Sequence, residues 1–285
     1  MTEQLGARAV GPRIRMMLPD LGSAEGRIAE VLLRRAVDDD FTLKRVATEA
    51  SASEAMVVKT AKKLGYEGFR GLRAALAEYK AQPTVDLHEE VKPTDRAEAI
   101  VRKVFRTSIQ ALEETLAILD LEAFERATTL LRGAKQRDLY GLGGSAQIAR
   151  DVAHRFLRIG LRCSAFDDTH MMAMSASLLG DGEVIIAFSH SGRTRSVIEA
   201  VEIGKKNGAR IIVVSNYSRS PLQALADVTL CSTSQGSPLT GENAAARIAQ
   251  LNIMDAVFLA VAQRGYTTAE RNLARTMNAV AAKRK

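Results

Sequence analysis

The sequence predicts a two-domain α plus α/β protein: an all-α amino-terminal domain, then an α/β domain built on a five-stranded parallel sheet flanked by helices. Three observations predict it. The first eighty residues carry apolar side chains at helical spacing. From Asp138 onward, short apolar runs alternate with helical segments at βαβ intervals. Between the two patterns, residues 82–94 hold Pro83, Pro93, mixed charge and no apolar periodicity, the composition of a linker. The expected division is therefore 1–81, 82–94 and 95–285, the last part ending in a helical tail.

Composition bounds the function classes. A chain of 285 residues with 46% hydrophobic content has room for two cored domains. Its two cysteines, Cys163 and Cys231, lie far apart in apolar stretches, which argues against a disulfide framework or a metal motif. The amino terminus lacks an apolar signal core, and no unbroken apolar run approaches the roughly 18 residues of a membrane span. The expectation is a soluble cytoplasmic protein with no membrane partner. A net charge of +7 favours polyanionic partners.

In chain order, Ser23 is expected to cap a helix over 24–33, where Ile28, Val31 and Leu32 share a face. After the acids Asp38 to Asp40, two short helices follow, Thr42–Glu49 and Ser53–Leu64, joined by the small-residue corner 50–52 and closed by Gly65. This is the pattern of a helix-turn-helix. Its second helix sets Lys59, Lys62 and Lys63 opposite Val57, Val58 and Leu64. Between Lys44 and Lys80 there are eight basic residues against four acidic ones. Read as a DNA-binding element, it offers Thr42 and Lys44 from the first helix and Ser53, Glu54, Met56, Lys59, Lys62 and Lys63 from the second. The leading residues of the second helix would then face base edges in the major groove, and the lysines would face phosphates. The same residues also suit a solvated helical face.

Beyond the linker, Asp95 is expected to cap a long helix through Val101, Val104, Phe105, Ile109, Leu112, Leu116 and Leu119, followed by another over 121–131. Both are amphipathic, suited to cover a sheet or a dimer seam. Five strands are expected at 138–141, 162–166, 184–188, 210–214 and 227–231. The intervening helices are expected at 146–159, 170–179, 195–207, 221–225 and 242–263. Ligands of such sheets gather at the carboxyl ends of the strands.

Two loops fall at those ends. The first, Gly141-Leu-Gly-Gly-Ser-Ala146, has the spacing of a dinucleotide fingerprint, and Asp167 or Asp168 stands where a ribose-binding acid would. Its glycines permit close approach of any phosphate, so the spacing alone does not separate a nicotinamide cofactor from a sugar phosphate. The second loop, Ser189-His-Ser-Gly-Arg-Thr194, packs hydroxyls around one glycine between an apolar strand and a helix. It reads as an anion cradle. A nicotinamide protein does not require this second cradle, so the pair favours a phosphosugar.

The run Val57 to Leu76, with its Leu64-Gly-Tyr66 turn and Gly68-Phe69, resembles the amino-terminal domain of the RpiR family of bacterial transcriptional regulators. It departs from that pattern at Met56, Lys59 and Thr60, where threonine, arginine and an aromatic are usual. Residues from about 95 to 266, with both loops, resemble the sugar isomerase (SIS) domain, whose Ser-x-Ser-Gly-x-Thr pattern binds a sugar phosphate. That resemblance implies phosphate contacts from Ser145, Ser189, Ser191 and Thr194, with Gly144, His190 and Gly192 shaping the backbone. It also implies homodimers or homotetramers that present two recognition helices to a palindromic double-stranded operator. An aldose–ketose isomerase is the alternative, and it needs a tuned acid and base. Glu242, His190 and His170 are the candidates, while Gln250 is neutral. The set looks incomplete. The expectation is a transcriptional regulator, not an enzyme, with no cofactor and with a phosphorylated sugar as effector.

Overall fold

The computed structural model describes residues 7–83, 85, 89–234, 244–281 and 283. Its contacts divide the chain into two units, Met1–Ile118 with Thr233–Ala246, and Leu119–Ser232 with Arg247–Lys285.

The first unit is helical: α1 (Val10–Met17), α2 (Ser23–Arg34), α3 (Leu43–Glu49), α4 (Glu54–Lys63), α5 (Phe69–Lys80) and α6 (Ala97–Ile118). Pro12 sits in the first turn of α1, where a missing amide proton costs little. Ser23 is the first residue of α2 rather than its cap. Glu25 supplies the capping contact instead, its carboxylate accepting the Gly22 amide at 3.0 Å. Ile14, Ile28, Leu32, Phe41, Val57, Leu72 and Leu76 form the core, in which Phe41 stacks on Phe69 at 5.8 Å.

Asp95 does not cap α6 either. Its carboxylate accepts the Lys92 amide and the Lys103 ammonium, each at 2.7 Å, and the helix opens two residues later. Further along α6, Glu114 ion-pairs with Arg15 of α1 and accepts from Tyr79 of α5 at 2.7 Å and from Gln110 at 2.8 Å. Burial opposes the Arg15 charge, but Glu114 and Tyr79 more than offset this and hold its pKa above the ordinary value. These contacts group α6 with the helical unit, whereas composition alone suggests that residue 95 opens the second domain.

The second unit runs α7 (Leu121–Gly133), β1 (Arg137–Tyr140), α8 (Gly144–Arg158), β2 (Ser164–Phe166), α9 (Thr169–Leu178), β3 (Val184–Phe188), α10 (Arg195–Lys206), β4 (Arg210–Ser215) and β5 (Val228–Cys231). It closes with α11 (Ala244–Gln263), all but its first three residues, and α12 (Tyr266–Ala281). The expected helix at 221–225 is only a short 3-10 turn, Gln223–Leu225. All five strands are parallel, in the order β2-β1-β3-β4-β5, with Tyr140 opposite Ala187 and Phe188 opposite Val214. The β-branched residues Ile185, Ile186, Ile211, Ile212, Val213 and Val214 are fully buried, as a sheet covered on both faces requires.

Helix α11 is long and apolar enough to span a membrane, with a mean hydropathy of 1.4 over 18 residues. A search for unbroken apolar runs misses it because Arg247, Asn252 and Asp255 interrupt the pattern. Its residues Ile253, Met254, Val257 and Val261 are buried in the main sheet core, so packing accounts for much of its apolar character.

Candidate functional site

Strands β1 and β3 are sheet neighbours, yet the chain leaves β1 toward β2 and leaves β3 toward β4. Their carboxyl ends therefore flank the topological switch point, where a doubly wound sheet opens a crevice. Both glycine-containing loops leave the sheet there. After β1, Gly141 is needed for close approach, since a Cβ would stand 2.8 Å from the Ser145 carbonyl. Gly143 precedes α8 with φ +57° and offers no capping side chain. Ser145, in the first turn of α8, is buried.

After β3, Ser189 is buried and organises the loop around itself. Its Oγ accepts the Gly192 amide at 3.0 Å and lies 3.1 Å from Thr194 Oγ1. Ser191 Oγ accepts the Arg193 amide at 3.2 Å. Thr194 stands at the N-cap position of α10 without a side-chain cap; its carbonyl accepts the Val197 amide at 3.1 Å, and the Arg195 and Ser196 amides at the helix start are left to an external acceptor. Gly192 has φ +63°, and a Cβ there would overlap the Ser220 side chain. The loop is fixed from behind by β4. The His190 carbonyl accepts from Ser215 Oγ at 3.3 Å and from the Asn216 amide at 3.1 Å, and the His190 ring meets Tyr217 edge-on. Arg195 turns away from the loop to Glu199 at 2.7 Å.

A buried polar layer continues sideways. Ser232 Oγ donates to Asn216 Oδ1 at 2.7 Å and accepts from Gln250 Nε2 at 3.3 Å. Ser232 opens the loop 232–239 that the sequence offers for contacts to the sugar hydroxyls, whereas Ser215 and Asn216 were not singled out from the sequence. The usable signal was their position, as polar residues immediately after apolar parallel strands. This layer and the loop hydroxyls are neutral donors and acceptors, suited to hold an anion without neutralising it.

The rival candidates are otherwise placed. Asp167 ion-pairs with Arg150, and Asp168 caps α9 through its His170 and Met171 amides at 2.9 Å, so both acids are engaged away from a ribose role. His170 is exposed. Glu242 lies outside the described residues, as do residues 235–239 of the loop after β5.

In the helical unit, α3, the corner 50–53 and α4 form the expected pair. Thr42 Oγ1 accepts the Arg45 amide and Ser53 Oγ the Met56 amide, each at 3.2 Å, so both hydroxyls act as helix caps. Arg27 on α2 pins the corner by donating to the Ala50 carbonyl at 2.8 Å and the Ser51 carbonyl at 3.2 Å. Sequence reading did not single out Arg27, because nothing local marks a residue that acts 23 positions away. Lys44, Glu54, Lys59 and Lys62 are exposed, whereas Met56 packs partly on the core. Lys63, also exposed, is tied back to α2 and the turn before it: it donates to Glu25 at 2.6 Å and to the Asp20 carbonyl at 3.0 Å. That hydrogen bond, with the Gly22 amide, holds the Glu25 carboxyl below its usual range.

Residues 9–83 match the model of the helix-turn-helix domain of the rpiR family, and residues 130–260 match the SIS domain. Over 94% of this chain and 90% of the other, the sequence is 43% identical to the HTH-type transcriptional regulator RpiR of Escherichia coli (strain K12). Among solved structures, the Vibrio vulnificus NanR protein complexed with ManNAc-6P is similar over 95% of this chain and 98% of that one, with TM-score 0.61 and 27% identity. The sugar isomerase domain of the RpiR transcription factor from Sphaerobacter thermophilus covers 62% of this chain and is itself covered to 97%, with TM-score 0.54 and 20% identity, a likeness of fold.

Proposed function

Because the chain belongs to the RpiR family of helix-turn-helix transcriptional regulators that carry a SIS domain, we propose that a phosphorylated sugar held by Ser145, Ser189, Ser191 and Thr194 sets how tightly it grips DNA. The observation that carries this reading is the Ser189 to Thr194 loop, whose hydroxyls and open α10 amides lie at the switch point beside the α8 amino terminus. Hydrogen bonds to a charged group contribute about 1.5–3 kcal/mol each, and each helix dipole adds about 0.3–1 kcal/mol. Gly144, His190 and Gly192 shape the cradle. The NanR likeness supports the ligand class, since that protein was solved with ManNAc-6P.

On the DNA side, Lys44, Lys59 and Lys62 contact phosphates, and Glu54 and Met56 lead α4 into the major groove. Thr42 and Ser53 serve through the caps they make, and Lys63 serves by tying α4 to α2. The protein acts in the cytoplasm as a homodimer or homotetramer on a palindromic operator. Effector and DNA are linked through a coupling of about 1–3 kcal/mol.

The protein binds its effector without turning it over. Among the described residues, the polar wall of Ser215, Asn216, Ser232 and Gln250 is neutral, which supports this, because ketose–aldose interconversion needs a proton-transfer base. A thermal-shift screen of phosphorylated sugars, amino sugars and polyols, with NAD included, tests the reading. Protection by a phosphosugar alone, with the ligand recovered unchanged, is the expected result. Protection by NAD, or isomerisation that Glu242→Gln abolishes, would replace the reading with a rival.

A further inference from the structure

Helix α6 is amphipathic in the inverted sense. Most of the residues it buries are polar: Lys103, Gln110 and Glu114 are 6%, 2% and 5% exposed. Its exposed side carries a stripe of large apolar residues: Val101, Phe105, Ile109 and Leu116 are 58%, 67%, 47% and 69% exposed. At about 100° per residue, Val101, Phe105, Ile109, Leu112 and Leu116 fall within a sector of about 80°, while the buried polar residues lie on the far side. The polar side is satisfied within the unit by Arg15, Tyr79 and Asp95. A stripe of this length has no use in water by itself.

The charges beside the stripe identify its occupant. Arg106, Lys103 and Glu114 are each ion-paired, to Glu89, Asp95 and Arg15. Arg102 and Glu113 are exposed and make no ion pair among the described residues. Both project from the same flank, about 60–80° round from Phe105. We propose that α6 pairs antiparallel with α6 of a second copy of this chain, about a two-fold axis between Ser108 and Ile109.

That register sets Val101 opposite Leu116 of the second copy and Phe105 opposite its Leu112. A two-fold axis perpendicular to the helices turns each flank onto itself, so Arg102 faces Glu113 of the second copy with an axial offset of about 3 Å. The pair forms twice. A parallel pairing would instead set Arg102 against the opposite flank, Ala97, Val104 and Ser108, which carries no acid. The inference deepens the homo-oligomer reading given above and does not depend on the effector.

Single-cysteine variants of the full chain test it, read by light scattering after size exclusion and by oxidation followed by non-reducing electrophoresis. The half-buried Cys163 and Cys231 of the unaltered chain serve as the background control. Ile109→Cys is expected to cross-link to itself. Val101→Cys should not, because its two copies lie about 22 Å apart along the axis, but it should cross-link when mixed with Leu116→Cys. Arg102→Glu is expected to weaken dimerisation by about tenfold through two like-charge contacts, and Arg102→Glu with Glu113→Arg to restore it. These surface changes leave the core intact, so circular dichroism should be unchanged. A dimer in which Ile109→Cys fails to cross-link overturns the α6 pairing while leaving the oligomer reading standing. Self-cross-linking of Val101→Cys overturns the antiparallel register. A chain that remains monomeric at tens of micromolar overturns both.

Discussion

Ser189 Oγ lies 3.1 Å from Thr194 Oγ1 and accepts the Gly192 amide, so one buried hydroxyl joins the end of β3 to the start of α10. An arriving phosphate would exchange the Ser189–Thr194 contact for two contacts to itself, at loop positions already set. Replacing Ser189 and Ser191 by alanine removes about two charge-assisted hydrogen bonds. A loss of at least ~100-fold in phosphosugar affinity is expected by calorimetry, with DNA affinity unchanged in a gel-shift assay. A folded double variant that keeps its effector affinity would remove these serines from the site.

Gly192 tests the same loop through shape alone. With φ +63° and the Ser220 side chain filling the space of a Cβ, Gly192→Ala strains the cradle without removing a hydroxyl. It should cost about 1–2 kcal/mol of stability by thermal melting and abolish the effector-induced shift in melting temperature. An unchanged shift would mean that the loop is not held as tightly as its contacts indicate.

The lysines of α4 separate by role. Lys59→Ala and Lys62→Ala should each reduce the slope of log affinity against log salt by about 0.9 and leave stability alone. Lys63→Ala should instead lower stability, because it abandons Glu25. The sign with pH follows from the depressed Glu25 carboxyl. Its contribution is present above the ordinary value of 4.5 and is lost as pH falls through the lower folded value. Between those limits the wild type should lose stability and Lys63→Ala should lose less, as followed by urea unfolding. Equal acid sensitivity would contradict the ion pair.

Arg15 and Glu114 form a buried pair in which Arg15 Nε and Glu114 Oε2 have no hydrogen-bond partner among the described residues. Arg15→Met strands the carboxylate and should cost about 3–5 kcal/mol in denaturant unfolding. Arg15→Met with Glu114→Leu should recover most of that. A double variant no more stable than the single would show that the pair contributes more than mutual compensation.

The strands were legible because their apolar runs are short, β-branched and bounded by turn residues; β3 was expected at 184–188 and observed there. The helix-turn-helix was legible from Ser53 and Gly65, which punctuate α4 locally. The expected helix caps at Ser23 and Asp95 show where local reading fails. At Asp95 a more distant partner wins the group, since Lys103 takes the carboxylate; at Ser23 the helix begins one residue earlier, with Gly22 in the cap position. Within the candidate site, the two loops were visible as motifs. Ser215 and Asn216 were not, because their meaning comes from strand order, which brings β4 beside β3. The tie of Lys63 to Glu25 and the grip of Arg27 on the corner are likewise long-range facts.

The central claim is that one ligand sets the affinity of the protein for DNA. The direct measurement is the dissociation constant for a DNA fragment enriched from genomic DNA by the protein, with and without a saturating phosphosugar from the thermal-shift screen. The wild type should change by about 5–150-fold, the Ser189→Ala with Ser191→Ala variant should not change, and DNA should alter effector affinity by the same factor. A wild-type protein that binds both ligands with no change in either affinity would contradict the account.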